Sequence, residues 1–126
     1  MQQKEHLLLY TYSLALTVIA LRITLSIKPN LNLNIGPYTI HHLYLGAFLL
    51  IVATIFLLFR IIEKPIVLLA GVSTGLILDE LIYLVTTDGS NAAYSSLISL
   101  GGALALTMLF LAISVVIYSA RNTKKI

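Results

Sequence analysis

Residues Ile66–Thr86 read IVLLAGVSTGLILDELIYLVT, an apolar run with turn-forming residues on either side. It is as long as the run of about 20 apolar residues that carries a helix across a bilayer's hydrocarbon core. Its only formal charges are the adjacent pair Asp79 and Glu80. Gly71, Gly75 and Asp79 recur at i, i+4 and i+8, so they share one helix face. Small residues on such a stripe let a second helix approach closely. Asp79 is therefore expected to be the buried acid. Glu80 points about 100° away, towards a cavity or towards the histidines.

Working outward, the same test finds three more spans. Glu63-Lys64-Pro65 makes a turn before the run, with proline suited to a first helical turn. Before that turn lies a span from about His41 to Ile62, opened by His41-His42. Leu7–Ile27 is another, broken only by Arg22 and closed by Lys28-Pro29-Asn30. It is too long for a signal-peptide core and no small-x-small cleavage site follows, so it reads as a permanent helix. After Thr87-Asp88-Gly89-Ser90-Asn91, a fourth span runs from about Tyr94 to Tyr118. Residues 28–40 are too short and too rich in Asn, Gly and Pro to cross, and read as an ordered interfacial loop. Membrane-barrel strands are excluded as spans, because the runs lack period-two alternation. The expected fold is an all-α membrane protein, residues 1–126 forming a single up-down bundle of four transmembrane helices.

Composition agrees. Of 126 residues, 59% are hydrophobic and 10% charged, where soluble domains carry roughly 25% charged residues. That balance excludes a soluble globule, and it excludes disorder, which needs low hydrophobicity and high charge. With no cysteine there is no disulfide framework, thiolate metal site or cysteine nucleophile. The net charge of +3 sits at span ends and not on one face, so no nucleic-acid partner is expected.

Orientation follows from the basic residues. Lys4, Arg60, Lys64, Arg121, Lys124 and Lys125 fall on the side of the termini; Lys28, with Arg22 nearby, falls on the other. The asymmetry places both termini in the cytoplasm of a multi-pass cell-membrane protein. All seven tyrosines fall near span ends, as an aromatic belt requires.

The remaining polar residues share one depth. At about 1.5 Å per residue, Arg22 lies roughly 7–8 Å below the outer end of its span, and Asp79 and Glu80 about 9–10 Å below theirs. His41 and His42 open their span on that side, as Ser95 and Ser96 open the fourth. Charges at such depth face the bundle interior and find partners. Two carboxylates and one arginine leave one negative charge, to be met by a proton, an imidazolium or a bound cation. Three readings follow: an ion pair of Arg22 with Asp79 or Glu80 that only packs helices; a divalent metal (Zn, Fe or Mn) held by His41, His42, Asp79 and Glu80; or a proton or cation path through the carboxylates. On a regular helix, one member of each adjacent pair would face the other helix. A serine at a helix start reads as an N-cap before it reads as a nucleophile.

Ile40-His41-His42 with Gly46, and Gly71-x-x-x-Gly75-Leu76-x-x-Asp79-Glu80, resemble the I-H-H-x-x-x-G and G-x-x-x-G-L-x-x-D-E helices of a group of small prokaryotic, often archaeal, integral membrane proteins. The resemblance covers the second and third spans and implies that the two pairs act together; it implies no substrate. In size and span number the chain is also similar to small multidrug exporters and fluoride channels. It lacks the exporters' first-span glutamate and the channels' Gly-Ala-x-x-Arg segment. As an enzyme it would be a metal-assisted membrane hydrolase, with Glu80 as ligand or base and Arg22 as the charge partner holding an anionic group. As an accessory subunit it would use the cluster for packing and its lipid face for other membrane subunits. As a transporter it would take up protons or cations, in a homo-oligomer.

Overall fold

The computed structural model describes residues 2–123. It contains α1 (Gln2–Ile27), a two-stranded hairpin of β1 (Leu33–Ile35) and β2 (Tyr38–Ile40), α2 (His42–Leu58), α3 (Lys64–Thr86), the short α4 (Asn91–Tyr94) and α5 (Leu97–Thr123). Helices α1, α3 and α5 are long and apolar enough to cross a membrane. The apolar α2, at 17 residues, rises about 25 Å. Lys124 and Lys125, counted above among the basic residues of the terminal side, lie outside the described residues.

Helix α3 is the hub, packing against α1, α2 and α5, while α1 also meets α5. Glycine makes this possible. A Cβ on Gly71 would collide with the Ser13 hydroxyl and stand 2.6 Å from the Tyr10 carbonyl; one on Gly75 would stand 2.8 Å from the Leu14 carbonyl. The small-residue stripe is thus the seat of α1. From the facing side, a Cβ on Gly46 of α2 would come within 2.7 Å of the Ser73 carbonyl. Ser13 meets Gly71 and Arg22 meets Asp79, so α1 and α3 run in one direction. His42 meets Asp79 and Gly46 meets Leu76, so α2 runs against them. α3 supplies most of the buried residues, including Ser73, Asp79, Glu80 and Tyr83.

Several boundaries differ from the sequence expectation, each for a local reason. Helix α1 begins at Gln2 and not near Leu7, since its polar first turns are still helical. Helix α2 stops at Leu58, short of Ile62. There Arg60 adopts φ 60°, the Ile61 N–H bonds the Phe56 carbonyl and the Arg60 N–H bonds the Leu57 carbonyl, both at 3.0 Å. This is a Schellman cap with arginine where glycine is usual. The 28–40 segment contains the hairpin: Leu33 faces Ile40 and Ile35 faces Tyr38 across a Gly36-Pro37 turn. Gly36 has φ 60°, as the first central position of a type II′ turn requires. The fourth span does not start at Tyr94. The chain breaks at Ser95-Ser96, and α5 begins at Leu97 with the Ser96 hydroxyl accepting from the Ser99 N–H at 3.3 Å. Ser90 caps α4 in the same way, through the Ala93 N–H. The serines here are caps.

Candidate functional site

All four residues singled out in the His and Asp-Glu pairs meet at the hairpin end of the helices, together with Arg22. The network has two halves.

The first half is sealed. Arg22 projects from α1 four to five residues before its end, and its guanidinium has five N–H donors. Nε donates to Asp79 Oδ1 at 2.5 Å and Nη2 to the Asp79 carbonyl at 2.7 Å. Nη1 donates to the Tyr94 carbonyl at 2.8 Å and to the Ser99 hydroxyl at 3.0 Å, and Nη2 to the Ser99 carbonyl at 3.3 Å. Every donor is used, across α3, α4 and α5. The guanidinium carbon also lies 4.1 Å from the centre of the Tyr94 ring, a cation–π contact. Asp79 is fully buried, and its Oδ2 accepts from the Tyr94 hydroxyl and meets His42 Nε2 at 2.9 Å. Arg22 has no N–H left for an anionic ligand.

The second half is built on Glu80, buried to 4% exposure. Its Oε1 lies 3.1 Å from His41 Nδ1 and 3.3 Å from His42 Nδ1. Its Oε2 accepts the Leu43 backbone N–H at 2.8 Å. Leu43 is in the first turn of α2, whose N-cap, His41, makes no side-chain cap bond. Glu80 therefore caps a neighbouring helix, satisfying an otherwise orphaned N–H with a carboxylate at the positive end of the helix dipole.

The pairs meet more completely than helical spacing allows. His41 is the N-cap, with φ −70° and ψ 142°, so its backbone is extended. That frees it from the 100° step, and it reaches Glu80 while His42, one residue on, touches both acids. The two imidazoles are placed differently. His42 bridges Asp79 to Glu80, and His41 stands at the edge, its side chain 24% exposed. Among the described residues, His41 Nε2 makes no hydrogen bond.

Three site residues were not singled out by the sequence. Tyr94 and Tyr83 were placed in an aromatic belt; both are buried in protein. Their rings meet edge-on at 5.3 Å. The Tyr83 hydroxyl donates to the Gly89 carbonyl at 2.5 Å, tying α3 to the following loop. Ser99 is a fully buried partner of Arg22. No spacing rule flags Tyr94 and Ser99, because their roles depend on the break at Ser95-Ser96 that separates α4 from α5.

A pocket of about 390 Å³ adjoins the second half. His41, His42, Glu80, Tyr83 and Tyr94 line one wall; the rest is lined by Leu21, Thr24 and Leu25 of α1, the hairpin and the residues before it, Leu45 of α2 and Asn91 of α4. Its size falls within the range of small-molecule sites. Among the described residues no three His, Asp or Glu side chains are placed to hold one metal ion. No buried side-chain nitrogen or oxygen among them lacks a hydrogen-bond partner. The chain matches no family model, no curated protein and no solved structure.

Proposed function

We propose that the chain is a multi-pass membrane protein of four spans, with both termini in the cytoplasm, that binds a small molecule at His41, His42 and Glu80 from the outer leaflet. The observation that supports this most directly is the division of the network. The Arg22–Asp79 half is closed on itself, while the Glu80 half forms the wall of a pocket. A network serving helix packing alone would have no reason to present a histidine edge and a buried carboxylate to a 390 Å³ space. In this reading Arg22 and Asp79 are positioning residues, and Glu80 and His41 touch the ligand.

The transporter reading is less well supported. From Pro65 to Leu78, α3 carries no ionisable side chain, and its Gly71 and Gly75 are closed against α1. An ion leaving Asp79 or Glu80 along α3 finds no second charged site there. The metal reading needs several donors around one point, and the donors instead hydrogen-bond one another.

The absence of cysteine makes the test direct. Single cysteines at Thr39, on the pocket rim, and at Lys4 are labelled in intact cells with a membrane-impermeant maleimide. Labelling at Thr39 and protection at Lys4 is expected; the reverse pattern rejects the orientation, and equal protection rejects the outer pocket. Elemental analysis of the purified protein is the second arm. Stoichiometric zinc, iron or manganese that His41→Ala removes would replace this reading with a metal centre.

A further inference from the structure

Resting on the pocket reading above, we propose that the ligand carries an organic ammonium group, with Glu80 as its counter-ion. Arg22 is spent on Asp79 and on neutral oxygens, with a single carboxylate among its acceptors. Glu80 has no Lys or Arg nitrogen within ion-pair distance among the described residues; its partners are two imidazoles and one backbone N–H. The α2 dipole supplies about half a unit of positive charge there. With both imidazoles neutral, a carboxylate this buried is costly without a full opposite charge beside it.

The surroundings then choose among cations. A divalent metal wants three or more converging donors, and no such group exists among the described residues. A hydrated inorganic ion would meet a mostly apolar lining, in which Thr24, Asn32, Thr39 and Asn91 add neutral polar groups and no second charge. An ammonium group on an apolar body fits both parts of the pocket. Its charge goes to Glu80, its carbon to the leucines, and the aromatic rings of Tyr83 and His41, 6.0 Å apart, give the cation polarisable neighbours. The pocket's 390 Å³ is near the lower end for drug-sized ligands, so the expected occupant is a small single-chain amine.

The test uses the full chain in maltoside micelles at pH 8, with three probes of equal chain length: octyltrimethylammonium, octyl sulfate and octanol. Saturable one-to-one binding is read by calorimetry against protein-free micelles. Octyltrimethylammonium is expected to bind at least about tenfold more tightly than octyl sulfate, since one carboxylate attracts the first and repels the second. Glu80→Gln should erase that preference. Because Glu80 also caps α2, Leu25→Trp is a second variant: it fills the pocket without touching the network and should abolish binding of all three probes. Equal binding of ammonium and sulfate, lost in Leu25→Trp, overturns the ammonium assignment and leaves the pocket standing. No saturable binding of any probe overturns both. Ammonium preference that survives in a folded Glu80→Gln protein overturns the role given to Glu80.

Discussion

Replacing Arg22 by methionine isolates the sealed half of the network. The substitution keeps most of the side chain's length and apolar contact and removes five hydrogen bonds and the ion pair to Asp79. Asp79 would then be a fully buried carboxylate with only His42 and Tyr94 as partners. Two estimates agree on the size of the loss. Side-chain hydrogen bonds within membrane proteins average about 0.6 kcal/mol each, which gives about 3 kcal/mol for the set. Breaking one partner out of a buried ion pair costs about 3–5 kcal/mol, chiefly because the other charge is left behind. The expected destabilisation is therefore about 3–5 kcal/mol.

The assay is reversible unfolding in mixed micelles, following helicity, for wild type, Arg22→Met, Asp79→Leu and the double variant. If the stranded charge is the main cost, the double variant recovers most of the stability lost by either single variant, because no charge remains buried. The coupling should exceed about 1.5 kcal/mol. Two results would refute the reasoning. If Arg22→Met costs under about 1 kcal/mol, the guanidinium does not hold the elements together. If the two single losses simply add in the double variant, the pair does not act as a unit.

Three further outcomes test separate parts of the structure. Gly71→Ala should destabilise by about 1–2 kcal/mol despite alanine's better helix propensity, because the new methyl meets the backbone carbonyl of Tyr10, while Gly101→Ala in α5, where a Cβ has open space, should gain up to about 1 kcal/mol; equal signs in the same unfolding assay would disprove the seat of α1 on α3. Arg60→Gly should stabilise by about 0.5–1 kcal/mol, since glycine fits the left-handed position of the Schellman cap, and a loss of stability would mean the arginine side chain has a role there. The Ser90 hydroxyl and backbone N–H hold the Asp88 carboxyl below its ordinary value of 3.8, so this loop contact is present above that pH and fades only as pH falls through the depressed value; a carbon NMR titration should show the low midpoint, and Ser90→Ala should raise it.

The sequence was most legible where one physical constraint acted alone. The run of α3 and the stripe Gly71, Gly75, Asp79 were readable because a helix has one period and glycine one reason to face a neighbour. The same period separated Asp79, facing α1, from Glu80, facing the pocket. The pairing of Arg22 with Asp79 was readable because a charge within an apolar helix must find a partner. What escaped depended on departures from regular geometry. His41 and His42 could not both be placed on the acids while both were treated as helical. Tyr94 looked like a belt residue because the break at Ser95-Ser96 has no strong punctuation; no proline or glycine marks it. The 33–40 hairpin escaped because three-residue strands leave too few positions for an alternating pattern.

That departure at His41 is also what joins structure to function. A helix N-terminus leaves backbone N–H groups without partners, and at α2 the missing acceptor is supplied by Glu80 of another helix. One carboxylate thereby fixes the start of α2, the first histidine before it and the second within it. The geometry around Glu80 is consequently set by backbone position, while that around Asp79 is set by the side chain of Arg22. Substitutions in the two halves should separate in consequence. Changes at Arg22 or Asp79 should loosen the assembly of α1, α3, α4 and α5, and with it the ligand binding proposed for the pocket. A conservative change at His41, which makes a single side-chain hydrogen bond at the pocket edge, should weaken the proposed binding while leaving stability near that of the wild type. His41→Gln is the sharpest case: a loss of stability matching Arg22→Met would show that the pocket wall and the clamp are one structural unit.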